Sequence, residues 1–333
     1  MIILLQHPLT PAEQTELQNS LAPYQSFKAL TFDNQPIIVA DDSAFSLSVT
    51  ALGQYPFIKD ILISDCAFPL ASRLLKTDPT VVTVNGIAIG GTEPIIMAGP
   101  CSVESYAQVA GIAQAVLAGG VKILRAGSFK PRSSPYSFQG LGQAGLDILK
   151  DIKAEFSCAI ISEIMSAEQI PSFTGIIDIF QVGARNMQNY ELLKALANTA
   201  TPVLLKRNPA NTIEEWLLSA EYLLSGGNSQ VILCERGSKT FDPKLPIAFN
   251  VNIVKAVKEL THLPLIVDPS HASGDYVVAQ QIALSALIAG ADGLLMEVHQ
   301  QPDLALTDGK QSLNLPHFEQ LQSKIALLKQ VIW

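Results

Sequence analysis

The stretch Pro202–Glu235, PVLLKRNPANTIEEWLLSAEYLLSGGNSQVILCE, shows the pattern that decides the fold. Two short apolar runs, Pro202–Lys206 and Gln230–Glu235, flank a segment with helical spacing at Asn211–Leu224. Short strands that alternate with helices of this length are typical of βαβ units, in which the strands run parallel. The same alternation begins at Pro94 and continues to the end of the sequence.

Eight strands are predicted in this alternating region. They lie at Ile95–Ala98, Val121–Ala126, Ala159–Glu163, Ile176–Val182, Pro202–Lys206, Gln230–Glu235, Leu263–Asp268 and Gly293–Val298. Further helices are predicted at Ser105–Leu117, Ser273–Ala289 and Pro316–Val331. Eight strand–helix units fit the size of a (β/α)8 TIM barrel, whereas a doubly wound sheet rarely needs so many in one run. We therefore predict an α/β fold with a TIM barrel at 94–333.

The segment before the barrel has a different pattern and predicts a small separate domain at 1–65. Its predicted strands are Met1–Leu5, Ser26–Phe32, Pro36–Ala40 and Phe57–Ile63, and its predicted helices are Pro11–Leu21 and Ser43–Leu52. The order βαββαβ is that of the ferredoxin-like split βαβ fold. The turn Asp33-Asn34-Gln35 joins the two middle strands. Residues 66–93 form a linker whose Asn85-Gly86 pair predicts a hairpin that caps the barrel.

Composition excludes several classes of protein. The chain has 22 basic and 30 acidic residues and a net charge of -8, whereas a general nucleic-acid binder needs a basic surface. No apolar run is long enough to span a bilayer, and the first residues lack the basic start of a signal peptide. Cys66, Cys101, Cys158 and Cys234 are far apart and form no CxxC motif, which predicts reduced thiols in the cytoplasm.

Ionisable residues follow nearly every predicted barrel strand, at the end where barrel enzymes form their active sites. The arginines are the most informative, because five of six fall at strand ends or in the loops after them: Arg125, Arg132, Arg185, Arg207 and Arg236. A guanidinium group suits bidentate contact with phosphate or carboxylate. The cluster predicts binding of small polyanions, although any single arginine could form a structural ion pair.

A second set of residues at the same rim has the chemistry of metal ligands. Cys101, His271, Glu297 and Asp308 would combine a thiolate, an imidazole and two carboxylates, a mixture that suits Zn, Mn, Fe or Co. Their long spacing makes this a weak signal by itself. His299 is a candidate partner of these ligands. Lys206, at a strand end, could form a Schiff base or bind phosphate.

Five ordered motifs carry a resemblance to a known family. They are Ile95–Ser105 (IIMAGPCSVES), Lys130–Gly140 (KPRSSPYSFQG), Gln181–Asn189 (QVGARNMQN), Asp268–His271 (DPSH) and Asp308–Ser312 (DGKQS). Together they resemble 3-deoxy-D-arabino-heptulosonate 7-phosphate (DAHP) synthases, in the form with a small N-terminal ferredoxin-like domain. The resemblance runs from about residue 85 to the end, and residues 1–65 resemble that domain only in their pattern.

The resemblance implies condensation of phosphoenolpyruvate with erythrose 4-phosphate, with release of phosphate, as the first step of the shikimate pathway. It implies that Cys101, His271, Glu297 and Asp308 bind a divalent metal ion. Lys130 is then a candidate proton donor, and Glu163 would orient a water molecule. The residues implied to hold phosphoenolpyruvate are Arg125, Lys130, Arg185, Lys206 and Arg236. Ala184 and His271 are further candidates for substrate binding, and His271 is also a candidate catalytic residue. Those implied to hold erythrose 4-phosphate are Arg132 and Ser133.

Related enzymes with such an N-terminal domain are inhibited by an aromatic amino acid, so the resemblance implies a regulatory domain, inhibition by tyrosine or phenylalanine, and a homo-oligomer, with a tetramer favoured. The segment Asp242–Ile253 departs from the family pattern. Two alternatives stay open. A 3-deoxy-D-manno-octulosonate 8-phosphate synthase would share the barrel, but that family places an Asn after a Lys-Ala pair, where this chain has Lys130-Pro131-Arg132. A non-catalytic barrel sensor would not need the full set of rim residues.

Overall fold

The N-terminal part of the chain forms a four-stranded antiparallel sheet in a computed structural model that describes residues 1–21, 27–40 and 52–332. Its elements are β1 (Ile2–Leu5), α1 (Pro11–Leu21), β2 (Phe27–Phe32), β3 (Gln35–Ala40) and β4 (Ile58–Leu62). The strand order is β2-β3-β1-β4, with β3 antiparallel to both of its neighbours. Strands β1 and β2 therefore run in the same direction with β3 between them, which is the split βαβ arrangement. The predicted helix from Ser43 lies outside the described residues.

The turn between β2 and β3 is one residue shorter than predicted. Asp33 and Asn34 have φ angles of 51° and 63°, so they are the two central residues of the turn. Gln35 already belongs to β3, where it faces Phe32. Two-residue turns with both φ angles positive match the twist of a hairpin, and Asp and Asn tolerate this conformation better than most residues.

A second hairpin closes the lower end of the barrel. It consists of β5 (Val82–Val84) and β6 (Ile87–Ile89), joined by Asn85 and Gly86, whose φ angles are 49° and 79°. Its valine and isoleucine side chains pack against Ile123, Ala159 and Ile179. Each of these three residues is the first of its barrel strand. The hairpin therefore fills the N-terminal mouth of the barrel and leaves the opposite end for chemistry.

The predicted TIM barrel is confirmed. Its strands are β7 (Ile95–Gly99), β8 (Ile123–Arg125), β9 (Ala159–Ile164), β10 (Ile179–Val182), β11 (Val203–Lys206), β12 (Val231–Glu235), β15 (Leu265–Val267) and β16 (Gly293–Glu297). They pair in parallel in that order, and β16 closes onto β7. The observed strands differ from the predicted ones by a few residues at their ends. Closure brings the end of β16 beside the end of β7, far away in the sequence.

Helices cover the outside of the barrel. They are α2 (Tyr106–Ala118), α3 (Gln143–Phe156), α4 (Ile170–Phe173), α5 (Tyr190–Ala197), α6 (Ile213–Ser225), α7 (Asn252–Leu260), α8 (Pro269–Ser273), α9 (Tyr276–Ile288) and α10 (Leu315–Ile332). In α6, Thr212 and Glu215 form a reciprocal capping box at the start, and Gly226 follows the end. Trp216 and Ala220, four residues apart, are both fully buried. Among the described residues, no helix is long and apolar enough to cross a membrane.

The segment between β12 and α7, where the sequence departs from the family pattern, contains a short hairpin. Strands β13 (Ser238–Lys239) and β14 (Ile247–Ala248) pair in antiparallel fashion. The side chains of Phe241 and Leu245, in the loop between them, are exposed. Asn250 turns the chain into α7 by accepting a hydrogen bond from the backbone N–H of Asn252.

The connector between the small sheet and the barrel is held by hydrogen bonds to residues of the barrel. Glu221 of α6 accepts the backbone N–H groups of Leu70 and Ala71, each at 2.9 Å. Nε2 of His262 lies 2.8 Å from the Leu70 carbonyl oxygen, and the ring of Phe32 in β2 packs edge-on against His262. The connector is therefore fixed to the side of the barrel, and Nζ of Lys76 in the connector pairs with Oδ2 of Asp33 beside the small sheet at 2.8 Å.

Candidate active site

Three of the four predicted metal ligands form one compact group at the C-terminal end of the barrel. Cys101 follows β7, Glu297 ends β16, and Asp308 lies in the loop after β16. Their ligand atoms all lie within 4.8 Å of one another. The Sγ atom of Cys101 is 3.0 Å from Oδ2 of Asp308. A thiolate and two carboxylates at this spacing could hold a transition-metal ion.

The fourth predicted ligand, His271, lies at the edge of this group. It is in the short helix α8, whose N-cap is Asp268. Its Nδ1 lies 2.8 Å from Oδ2 of Asp268, and its Nε2 lies 3.6 Å from Oε1 of Glu297. The imidazole therefore faces the metal group with Nε2. These four residues have donor atoms that fit a divalent metal ion of intermediate softness.

The buried ligands differ in their electrostatics. Burial and the neighbouring Glu297 raise the pKa of the Cys101 thiol to about 12, although Lys130, with Nζ 3.0 Å from Sγ, opposes this shift. Burial by itself would raise the pKa of Glu297 too, but His271 and Arg125 lower it far more, so Glu297 is ionised. Cys101 therefore keeps its proton until a cation takes the proton's place.

Three buried cations lie beside the metal group. Arg125 donates from Nη1 to Oε1 of Glu297 at 2.7 Å, and Lys206 contacts Oδ2 of Asp268 at 2.5 Å. Lys130 reaches Cys101, as described above. The Nε of Arg125 is buried and has no hydrogen-bond partner among the described residues. A buried donor without a partner is costly, so this atom is available for an anionic ligand.

A cavity of about 430 Å³ lies above these buried groups. Eight of the predicted site residues line it: Lys130, Arg132, Ser133, Glu163, Arg185, Arg236, His271 and Asp308. Nη1 of Arg132 is 3.7 Å from Oδ1 of Asp308. In the described part of the chain, the side chains of Arg185 and Arg236 form no hydrogen bond or ion pair. Guanidinium groups without acidic partners, in a chain with net negative charge, favour an anionic ligand.

Glu163 is held at the side of the cavity by its neighbours on β10. Nε2 of Gln181 lies 3.3 Å from Oε2 of Glu163. A Cβ atom at Gly183 would lie 1.8 Å from Oε1 of Glu163, so any larger residue there would displace the carboxylate. Ala184 follows in a short 3-10 turn and is half-buried, but it does not line the cavity.

Some rim residues have structural roles. Arg207 was predicted to belong to the cation cluster, and this is wrong. Its Nε and Nη2 donate to the two carboxylate oxygens of Glu235, at 2.6 and 2.8 Å, in a buried pair. Because Lys206 ends a strand and Arg207 is the next residue, the two side chains face opposite sides. His299 pairs with Glu104 at 3.7 Å and accepts the N–H of Gln301, away from the metal group.

Two residues with a place in the site had no predicted role. Asp268 contacts both Lys206 and His271, and Gln311 donates from Nε2 to Oε2 of Glu297 at 2.6 Å. Both were inside recognised motifs. Asp268 was predicted to end a strand, whereas the observed strand ends at Val267 and Asp268 is the N-cap before Pro269. The sequence gives no sign, however, that Gln311 and Glu297 meet.

A larger cavity, of about 580 Å³, lies at the opposite end of the barrel, beside β6 and α10. Its ionisable residues are Glu93, Lys122 and Lys329. Nζ of Lys329 already pairs with Oε2 of Glu93 at 3.1 Å. The reactive side chains of the described residues therefore converge at the smaller cavity.

Comparison with known proteins agrees with this geometry. Residues 76–332 match the DAHP synthetase I family. A phospho-2-dehydro-3-deoxyheptonate aldolase from Thermotoga maritima is 41% identical over 261 residues, which is 78% of this chain and 77% of that protein. A 2-dehydro-3-deoxyphosphooctonate aldolase from Desulfosudis oleivorans is 29% identical over 270 residues, 75% of this chain and 95% of its own length.

Solved structures extend the likeness to the N-terminal part. The crystal structure of the Thermotoga maritima phospho-2-dehydro-3-deoxyheptonate aldolase (DAHP synthase) has a TM-score of 0.79 and 34% identity. The match covers 99% of this chain and 97% of that one. A truncated form of the same enzyme has a TM-score of 0.75 and 38% identity, over 79% of this chain and 97% of its own. The likeness to the full-length enzyme thus includes the small antiparallel sheet.

Proposed function

This chain belongs to the DAHP synthetase I family, and we propose that its 430 Å³ cavity is where phosphoenolpyruvate condenses with erythrose 4-phosphate. The activity is that of a 3-deoxy-7-phosphoheptulonate synthase, a transferase that opens the shikimate pathway to chorismate and the aromatic amino acids. The octulosonate alternative is less well supported, because the relatives with that name are more distant.

The observation that carries the site assignment is the set of cations at the cavity. Arg185 and Arg236 have no acidic partner in the described chain, and Lys130 lines the same cavity. Two phosphorylated substrates repel each other, so a site that joins them needs more positive charge than one anion requires. The surplus of cations at this cavity supports two anionic substrates.

For the metal ion, we assign Cys101, His271, Glu297 and Asp308 as ligands. Their donor types support Mn, Fe, Co or Zn over Mg or Ca, which prefer oxygen alone. When bound there, a divalent ion supplies Lewis-acid polarisation of the aldehyde oxygen of erythrose 4-phosphate. Arg125 and Gln311, which hydrogen-bond the two oxygens of Glu297, orient that carboxylate.

Phosphoenolpyruvate is assigned to the deep part of the cavity. Lys130, Arg185, Arg236 and the ring of His271 line the cavity, and we assign them to this substrate together with the buried Arg125 and Lys206. Ala184, which does not line the cavity, would contribute through its backbone. Erythrose 4-phosphate is assigned to the outer part, with its phosphate on Arg132 and Ser133. Bidentate arginine contacts fix the orientation of each anion and so place the two carbons that react next to each other.

The reaction then follows from these positions. Carbon 3 of phosphoenolpyruvate attacks the aldehyde carbon, and Lys130 donates a proton to the aldehyde oxygen, which becomes a hydroxyl group. Glu163 orients a water molecule and accepts its proton as the water attacks carbon 2. The C–O bond of the resulting intermediate breaks and phosphate leaves, so one water is consumed for each phosphate released. Removal of Glu163 should therefore affect the second half of the reaction most.

Substrate choice tests the assignment. We expect rapid phosphate release from phosphoenolpyruvate with erythrose 4-phosphate. Release should be at least about 100-fold slower with arabinose 5-phosphate, because a site shaped for the four-carbon aldehyde does not fit the five-carbon one in the transition state. Preference for arabinose 5-phosphate would support the octulosonate reaction. No turnover with either aldehyde would support a non-catalytic sensor.

For residues 1–65 we propose a regulatory domain, separated by the connector 66–93 from the catalytic barrel 94–333. Every described residue that lines the active-site cavity comes from the barrel, so the small sheet is not needed for chemistry. We propose inhibition by tyrosine or phenylalanine, in a cytoplasmic homo-oligomer, with a tetramer favoured. A chain that starts at Thr80 should stay active and lose this inhibition. If the full-length enzyme does not respond to either amino acid, the domain only supports assembly.

A further inference from the structure

The carboxylate of Asp268 connects the two halves of the active site. Its side chain is 1% exposed. Oδ2 lies 2.5 Å from Nζ of Lys206 and 2.8 Å from Nδ1 of His271. Oδ1 accepts the backbone N–H of His271 at 3.0 Å. The ammonium of Lys206 and the backbone N–H of His271 donate to this carboxylate, and the imidazole Nδ1 is the third group beside it.

The contact with His271 selects one form of the imidazole ring. Nδ1 of His271 is buried, forms no well-aligned hydrogen bond among the described residues, and has the Oδ2 of Asp268 2.8 Å away. Because a carboxylate only accepts hydrogen bonds, this proximity favours the tautomer with the proton on Nδ1. The lone pair of the neutral ring is then on Nε2, the atom 3.6 Å from Oε1 of Glu297. Metal-binding histidines commonly donate their other N–H to a carboxylate, which fixes the tautomer and the direction of the ring.

The contact with Lys206 fixes a second group through the same oxygen. Lys206 ends β11 and Asp268 follows β15, with β12 between these two strands. The carboxylate therefore reaches across a neighbouring strand to hold the ammonium group. As a result, the distance between the imidazole that faces the metal group and the ammonium assigned to phosphoenolpyruvate depends on one side chain.

We infer that Asp268 is a positioning residue: it fixes His271 as a metal ligand and Lys206 as a phosphoenolpyruvate contact, and so sets the distance between metal and substrate. This inference rests on the proposed function of the site. It goes beyond it by assigning two separate readouts, metal affinity and the KM of phosphoenolpyruvate, to a residue that touches neither metal nor substrate.

The substitution Asp268→Asn tests this with little change of shape. The new amide presents N–H groups where Lys206 or His271 also presents a donor, so at least one contact is lost. We expect Co²⁺ affinity to fall about 10- to 100-fold, the usual effect of removing such a carboxylate. We also expect the KM of phosphoenolpyruvate to rise about tenfold or more, while the KM of erythrose 4-phosphate stays within about twofold, as expected for loss of one charged hydrogen bond.

The matched control is Asp292→Asn. Asp292 also accepts a lysine, Lys258, at 2.7 Å, and a backbone N–H, that of Leu265, at 2.8 Å, but at the opposite end of the barrel. A purely structural role for Asp268 would make both variants alike, with lower thermal stability and unchanged Co²⁺ affinity. That outcome would overturn the inference.

Two further measurements separate the possible failures. Wild-type protein that binds no Co²⁺ would overturn the metal assignment itself, and the inference with it, whereas wild-type binding that Asp268→Asn leaves unchanged would overturn the inference alone. If Asp268→Asn does not fold, ¹⁵N NMR of the wild-type histidines, with the His271 signal identified by its loss in His271→Gln, decides the matter. A proton on Nδ1 of His271 supports the inference, and a proton on Nε2 with none on Nδ1 contradicts it.

Discussion

Replacement of Arg185 should remove activity without loss of stability. The side chain is exposed at the cavity and has no ion pair or hydrogen bond in the described chain, so Arg185→Ala should change the free energy of unfolding by about 0.5 kcal/mol or less. A hydrogen bond to a charged group contributes about 1.5–3 kcal/mol, so kcat/KM for phosphoenolpyruvate should fall about 10- to 150-fold. Arg185→Lys should recover part of the lost kcat/KM, because lysine keeps the positive charge but lacks the bidentate geometry of the guanidinium group.

Arg73 offers the opposite control. It donates from Nε to the Lys258 carbonyl at 2.6 Å and from Nη1 to the carbonyl of Thr77, far from the cavity. Arg73→Ala should therefore lower the free energy of unfolding by about 1–3 kcal/mol and leave the KM of phosphoenolpyruvate unchanged. The assays are steady-state phosphate release and urea unfolding of the same preparations. The reasoning is refuted if Arg185→Ala keeps the wild-type KM, or if it destabilises the protein as much as Arg73→Ala does.

Three further predictions concern other parts of the molecule. Arg132→Ala should raise the KM of erythrose 4-phosphate about tenfold and leave that of phosphoenolpyruvate within about twofold; the reverse pattern would exchange the two phosphate sites. Cys101→Ser should weaken metal retention in dialysis against a chelator, because a hydroxyl is a poorer ligand than a thiolate; equal retention would exclude Cys101 as a ligand. Burial raises the pKa of Glu221 to about 7, although the N–H groups of Leu70 and Ala71 lower it. An acid with a raised folded-state pKa loses stability as pH rises from about 4.3 through about 7, here by at most about 4 kcal/mol, and Glu221→Gln should remove that part of the pH dependence of unfolding.

The barrel could be predicted from the sequence because its strands are short apolar runs separated by helical segments. Their ends were less certain, since apolar residues continue past the hydrogen-bonded ladder. Val121, for example, was placed in a strand and is 4% exposed, yet it precedes β8, which begins at Ile123. Its burial comes from packing in the turn, and a hydrophobic pattern cannot distinguish this from pairing in a strand.

The types of residue at the site could also be predicted, because each strand end contributes to one rim. Which of these residues contact each other could not be predicted. Arg125 and Glu297 are 172 positions apart, and only closure of the barrel brings them to 2.7 Å. Arg207 was placed in the cation cluster because it follows a strand. Its side chain points away from the cavity and pairs with Glu235 instead. Partners depend on three-dimensional register, which spacing in one sequence does not show.

The measurement that tests the central claim most directly is phosphate release from phosphoenolpyruvate in the presence and absence of erythrose 4-phosphate and of EDTA. We expect release only when both substrates are present, loss of release in EDTA, and recovery when Mn²⁺ or Co²⁺ is added in excess. Full activity in protein shown by elemental analysis to be free of metal would contradict the role of Cys101, His271, Glu297 and Asp308. Release that does not need erythrose 4-phosphate would contradict the condensation itself.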